Sequence, residues 1–72
     1  MPDITYVIQQ ELGSLSTNKS GWTKELNLIS WNGGEAKYDL RDWSPNHDRM
    51  SKGVTFTKEE AEKLRDLLNK VL

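Results

Sequence analysis

From about Glu35 to Ser44 the chain alternates with a period of two. Lys37, Asp39, Arg41 and Trp43 fall on one parity and Ala36, Tyr38, Leu40 and Asp42 on the other. A period of two fits a β-strand, whose successive side chains point to opposite faces, and does not fit a helix. The spacing predicts a strand with two chemically different faces: one mostly apolar and suited to a core, the other carrying cations and an indole. The neighbouring segments supply partners for it. Residues 4–16 (ITYVIQQELGSLS) read as a long first strand, with Ile4, Tyr6, Ile8 and Leu12 on one parity and a bend or bulge at Gly13. Residues 22–32 read as a second strand, with Leu26 and Leu28 on one face and Asn27, Ile29 and Trp31 on the other. Asn32-Gly33 marks a tight hairpin before the third strand, because both residues accept the positive φ that such a turn needs. Residues 17–21 and 45–51 are rich in turn formers and read as loops, and residues 52–56 read as a short fourth strand.

A helix follows. Thr57 and Glu60 have the spacing of a capping box, in which each side chain accepts an amide at the helix start. Ala61, Leu64, Leu68 and Val71 recur at three- and four-residue steps, and Leu67 and Leu72 widen that stripe. A stripe this wide exceeds what one small sheet needs, so Leu64, Leu67, Leu68 and Val71 are expected at a homodimer interface. Length points the same way. Seventy-two residues make one domain, spanning 1–72, whose core is marginal alone, and no cysteine is present to staple it.

The chain opens with no charged-then-apolar leader and contains no long apolar run, so a cytoplasmic protein without membrane contact is expected. Catalysis has little support. His47 is the one histidine and stands in a polar loop beside Asp48, where a solvated side chain is expected. The acidic residues have no metal-ligand spacing, and Gly33-Gly34 precedes no helix that would make it a phosphate loop. No catalytic residue, metal or cofactor is expected.

Cations and tryptophans on one strand face suit a ligand that is both anionic and aromatic. Single-stranded nucleic acid is such a ligand, since its phosphates attract Lys and Arg and its unpaired bases stack on flat rings. On this reading Trp31 and Trp43 stack on bases, beside Asn27 on the same faces, while Lys37, Arg41 and Lys52 meet phosphates. Lys19 in the first loop and Lys24 early in the second strand are further backbone clamps, Trp22 is either a core-edge or a contact residue, and Arg49 is a secondary candidate. An ion pair of Arg41 or Lys37 with Asp39 at the surface is the plain alternative. Ten basic residues against eleven acidic ones leave no basic reservoir, so a phosphate-binding surface must come from local arrangement. Single-stranded RNA and an acidic peptide are the alternative ligands that the same face would suit.

The segments KYDLRDWS and KGVTFT, followed by a short amphipathic helix and preceded by GWTKELNLISWNG, resemble the bacterial YdbC-like branch of the transcriptional positive-cofactor-four family. The resemblance covers roughly residues 22–68, in order and spacing as well as residue type. It implies an α+β fold: a curved four-stranded antiparallel sheet in chain order, one C-terminal helix, and a homodimer. It also implies binding of single-stranded DNA with little sequence preference, and through the family's coactivators a link to the transcription machinery. In that family the arginine and aromatic of the third strand and the lysine before the glycine belong to the binding region, which here are Arg41, Trp43 and Lys52.

Overall fold

The computed structural model describes residues 4–72. It contains β1 (Tyr6–Thr17), β2 (Thr23–Trp31), β3 (Lys37–Trp43), β4 (Val54–Phe56) and α1 (Lys58–Val71), and the strands form one antiparallel sheet in the order β1-β2-β3-β4. The expected α+β architecture is therefore observed. At the β2–β3 hairpin Asn32 and Gly33 take φ of 51° and 74°, and the Gly34 amide donates to the Trp31 carbonyl at 2.8 Å. This is the tight turn that Asn-Gly favours. The capping box is also present: the Glu60 amide donates to Thr57 Oγ1 at 3.2 Å, and the Thr57 amide to Glu60 Oε1 at 2.9 Å.

Strand β1 departs from simple alternation. Its 12 residues pair with the 9 of β2 by way of register shifts between Ile8 and Gln10, Glu11 and Gly13, and Ser14 and Ser16. Gln9, Leu12 and Leu15 are the inserted residues. Each insertion bends and twists the strand and resets its parity. Glu11, rather than Leu12, thus continues the face begun by Tyr6 and Ile8, which corrects the shared parity expected of Ile4 to Leu12, while the bulge expected at Gly13 is present in the register shift between Glu11 and Gly13.

The bends curl the sheet. Tyr6 pairs with Trp31 at one end of β2, while Trp43 pairs with Thr23 at the other. A flat strand would hold those ends roughly 26 Å apart. The Tyr6 ring nevertheless lies 5.4 Å from Trp31 and 5.6 Å from Trp43, centroid to centroid. The face that closes on itself in this way, the inner face, carries Asn27, Ile29, Asp39 and Trp43, all fully buried or nearly so.

This reverses the expected roles of the two faces. The apolar parity, with Leu26, Leu28, Tyr38, Leu40 and Phe56, forms an outer face that is only half-buried. Helix α1 lies across it without closing on it: no helix residue is buried, and an apolar cleft of about 690 Å³ remains between Leu26, Leu40 and Phe56 of the sheet and Ala61, Leu64 and Leu68 of the helix. The reason is curvature. A curled sheet buries what lies inside the bend, whatever its polarity, and splays what lies outside.

Candidate nucleic-acid interface

The inner face is organised around a buried ion pair. Arg41 and Asp39 stand two residues apart on β3, so their side chains share a face. The guanidinium grips the carboxylate with both prongs, Nε to Oδ1 and Nη2 to Oδ2, each at 2.6 Å. Asp39 is wholly buried and the Arg41 side chain is 13 % exposed. Nη1 donates to the Ser51 carbonyl at 3.4 Å, and the guanidinium carbon lies 4.6 Å from the centre of the Trp31 ring. The pair is thus internal, not the exposed ion pair weighed from the sequence, and its geometry fixes the cation over the indole. Gly53 permits this approach. A β-carbon there would stand 2.5 Å from Arg41 Cβ and 2.6 Å from the Leu40 carbonyl oxygen.

Trp43 ends β3 inside the curl. It is 0 % exposed, and its ring is stacked on His47 at 4.4 Å with an interplanar angle of 2°. The loop that carries His47 is tightly tied. Ser44 Oγ donates to Asp48 Oδ1 at 2.7 Å and accepts the Arg49 amide at 3.0 Å, while the His47 amide donates to the Ser44 carbonyl at 2.9 Å. The Ser44 hydroxyl, chiefly, holds the Asp48 carboxyl below its ordinary 3.8. His47 takes a φ of 62°, and its Nε2 lies 2.8 and 3.0 Å from the two Glu25 carboxylate oxygens. Glu25 in turn accepts from Asn27 Nδ2 at 3.3 Å.

Several expectations are corrected by this arrangement. Trp43 was expected as an open stacking platform and Asn27 as a contact residue beside it, but both are buried: Trp43 under His47 and Asn27, at 1 % exposure, on the floor of the inner face. His47 was expected to be solvated, yet it is clamped between an indole and a carboxylate. Tyr6, Glu25 and His47 join the site although no motif marks them. Glu25 and His47 are 22 residues apart, and the pairing of β2 with β3 and the fold-back of the loop after Trp43 bring them together.

The remaining candidates are distributed around the sheet. Trp31 and Trp22 are half-buried, and the Arg49 guanidinium lies 5.9 Å from the Trp22 ring centre. Lys19, Lys24, Lys37 and Lys52 are all exposed. Lys24 faces Asp42 at 3.7 Å, and together with Lys52 they wall a hollow of about 190 Å³. Lys37 belongs to another hollow, of about 480 Å³, with Tyr38 and Lys58. These four lysines therefore stand at strand ends and in loops, Lys24 on the parity of the outer face, and Arg41 is the cation held on the inner face. Leu64, Leu67, Leu68 and Val71 all expose substantial apolar surface. Among the described residues, no helix is long and apolar enough to cross a membrane, and no three His, Cys, Asp or Glu side chains are grouped to hold a metal.

Comparison with known proteins places these features in a family. The profile of the family described as Transcriptional Coactivator p15 (PC4) matches residues 18–67, which include the three strands β2 to β4 and most of α1. A Treponema pallidum (strain Nichols) protein described as uncharacterized is 52% identical over 67 residues, covering 93% of this chain and 79% of that protein. The family profile spans more than half of the chain and takes in the β2–β3 hairpin, the Asp39–Arg41 pair and the Lys52-Gly53 step, and on that ground the chain belongs to the transcriptional coactivator p15 (PC4) family.

Proposed function

We propose that this protein binds single-stranded DNA with little sequence preference, as a homodimer and without enzymatic activity, in transcription, replication or repair. The observation that carries the reading is the Trp31–Arg41–Tyr6 cluster on the inner face of the sheet, with exposed lysines at the strand ends and in the loops. An aromatic surface with cations at its rim suits a strand whose bases turn inward and whose phosphates run outside. Trp31 and Trp22 are assigned to bases, and Lys19, Lys24, Lys37 and Lys52 to phosphates. Arg41 acts mainly by holding Trp31, since its charge is already met by Asp39. The dimer is supported by the uncovered helix stripe and the apolar cleft beneath it, which a second copy would fill.

The test is a titration with oligo-dT, the matched duplex and the matched RNA at two salt concentrations. Oligo-dT should bind tightest, the duplex weakest because its bases are already stacked on one another, and added salt should weaken binding. Equal binding of duplex and single strand would overturn the assignment, and tighter binding of RNA would replace DNA by RNA as the ligand.

A further inference from the structure

Beside His47 the inner face opens into a hollow of about 420 Å³, lined by His47, by Thr23, Glu25 and Asn27 of β2, and by Glu11 and Ser14 of β1, the strand partners of Asn27 and Glu25. We infer that this hollow is a base-binding subsite, in which an unpaired base bearing an amino group stacks on the outer face of His47. The inference rests on the reading of the protein as a single-strand binder and adds to it a contact that neither the family match nor the tryptophans supply.

Three observations carry it. The imidazole lies parallel to Trp43, so one of its faces is spent on the indole, while the side chain as a whole remains 36 % exposed. Trp43 itself cannot reach a ligand, and His47 extends its ring stack to the surface as a second flat layer. The ring is also held in advance of any ligand. Glu25 fixes Nε2, and the Ser44 hydrogen bonds to Asp48 and Arg49 fix the loop, so little rotational freedom is lost when a base stacks. Finally, the hollow offers acceptors: the Glu25 and Glu11 carboxylates and the hydroxyls of Ser14 and Thr23. Two carboxylates repel a phosphate but accept from an exocyclic amino group, and each has lone pairs beyond those that His47 and Asn27 occupy. The hollow has the size of an ordinary small-molecule site and admits one base. Cytosine and adenine carry the amino donor, whereas thymine lacks it.

The test uses the full chain and a dT oligomer in which one central thymine is replaced by cytosine or by an abasic unit. His47 is the one histidine, so its imidazole proton signals are unambiguous in NMR spectra. On adding the cytosine oligomer those signals should move upfield from the ring current of the stacked base, and the abasic oligomer should move them less. His47→Ala should weaken binding of the cytosine oligomer roughly fivefold or more, as for one lost base–aromatic stack. His47→Phe keeps a flat ring over Trp43 and should retain most of that affinity, which separates stacking from a change in fold. Glu25→Gln should reduce the preference for cytosine over thymine. If the parent binds oligo-dT while His47→Ala binds both oligomers as tightly and the imidazole signals stay fixed, the subsite is wrong and the single-strand reading survives. If the parent binds no single strand, both fall.

Discussion

At the scale of single residues, the two tryptophans of the hairpin strands have opposite fates despite equivalent parity. Trp43 is sealed beneath His47, so Trp43→Ala should cost about 3–5 kcal/mol of stability, as for other buried aromatics. Trp31 is half-buried at the rim. Trp31→Ala should leave the fold largely intact and weaken oligo-dT binding by about 1–3 kcal/mol. Chemical denaturation of both variants, paired with binding titrations, distinguishes them; similar stability losses in the two would contradict the assignment. Asp39→Asn removes the counter-charge of a largely buried guanidinium, and a loss of about 3–5 kcal/mol is expected from breaking such a pair. Gly53→Ala forces a methyl against Arg41 and the Leu40 carbonyl, and should cost about 1–3 kcal/mol by overpacking. Asp48 adds a pH dependence of known sign. Its folded-state pKa lies below the ordinary 3.8, so its bond from Ser44 contributes fully above that value and is lost as the pH falls through the lower, folded one. The bond from Ser44 to Asp48 should therefore weaken as the pH falls below that ordinary value, and Asp48→Asn should remove that dependence.

At the scale of elements, β1 and α1 set what the rest of the chain can do. Three insertions in β1 curl the sheet, and the curl decides which parity is buried. Helix α1 depends on its own termini more than on packing, since none of its residues is buried. Removing the cap oxygen with Thr57→Ala should therefore cost about 1 kcal/mol and fray the first turn. Hydrogen exchange at Glu59, Glu60 and Ala61 reads that effect directly: unchanged protection there would mean that the helix start is held by something other than the cap.

At the scale of the whole molecule, one chain is more open than its length requires. Its radius of gyration is 13.2 Å, against about 11 Å for a compact domain of this size. Among the described residues only Ile29 and Trp43 form a fully buried apolar core, while Val71 is 77 % exposed and Leu67 51 %. Such a chain needs cover for the cleft between helix and sheet, and we predict sedimentation as a dimer at micromolar concentration. Leu68→Asp, at the mouth of that cleft, should dissociate or unfold it; a stable monomer at high concentration would remove the dimer. The lysines at the rim predict a second bulk property. Log affinity for single strands should fall with log salt by about 0.7 for each phosphate met, and replacing Lys37 or Lys52 by Ala should flatten the slope by roughly one contact each. An unchanged slope in both variants would mark those lysines as merely solvated.

What the sequence determined by itself is local. Period-two alternation placed β3 within two residues at its start and one at its end, Asn32-Gly33 placed the hairpin, and Thr57 with Glu60 placed the helix start, because each depends on neighbours only a few bonds away. The same locality carried the family resemblance, whose motifs are contiguous. The inside of the sheet was not legible. Parity says that Trp43 and Leu40 point to opposite faces, but not which face the sheet closes around. That choice was made by bulges in β1, a strand whose insertions at Gln9, Leu12 and Leu15 are defined only by pairing with β2. Curvature then buried Asn27 and Asp39 with their partners and set Tyr6, the strand partner of Trp31, against Trp43 as well, while the fold-back of the loop after β3 brought His47 to Glu25 across 22 residues. Only the tertiary structure decides contacts of this kind, because burial on a curled sheet follows the sign of the bend rather than the hydropathy of the face.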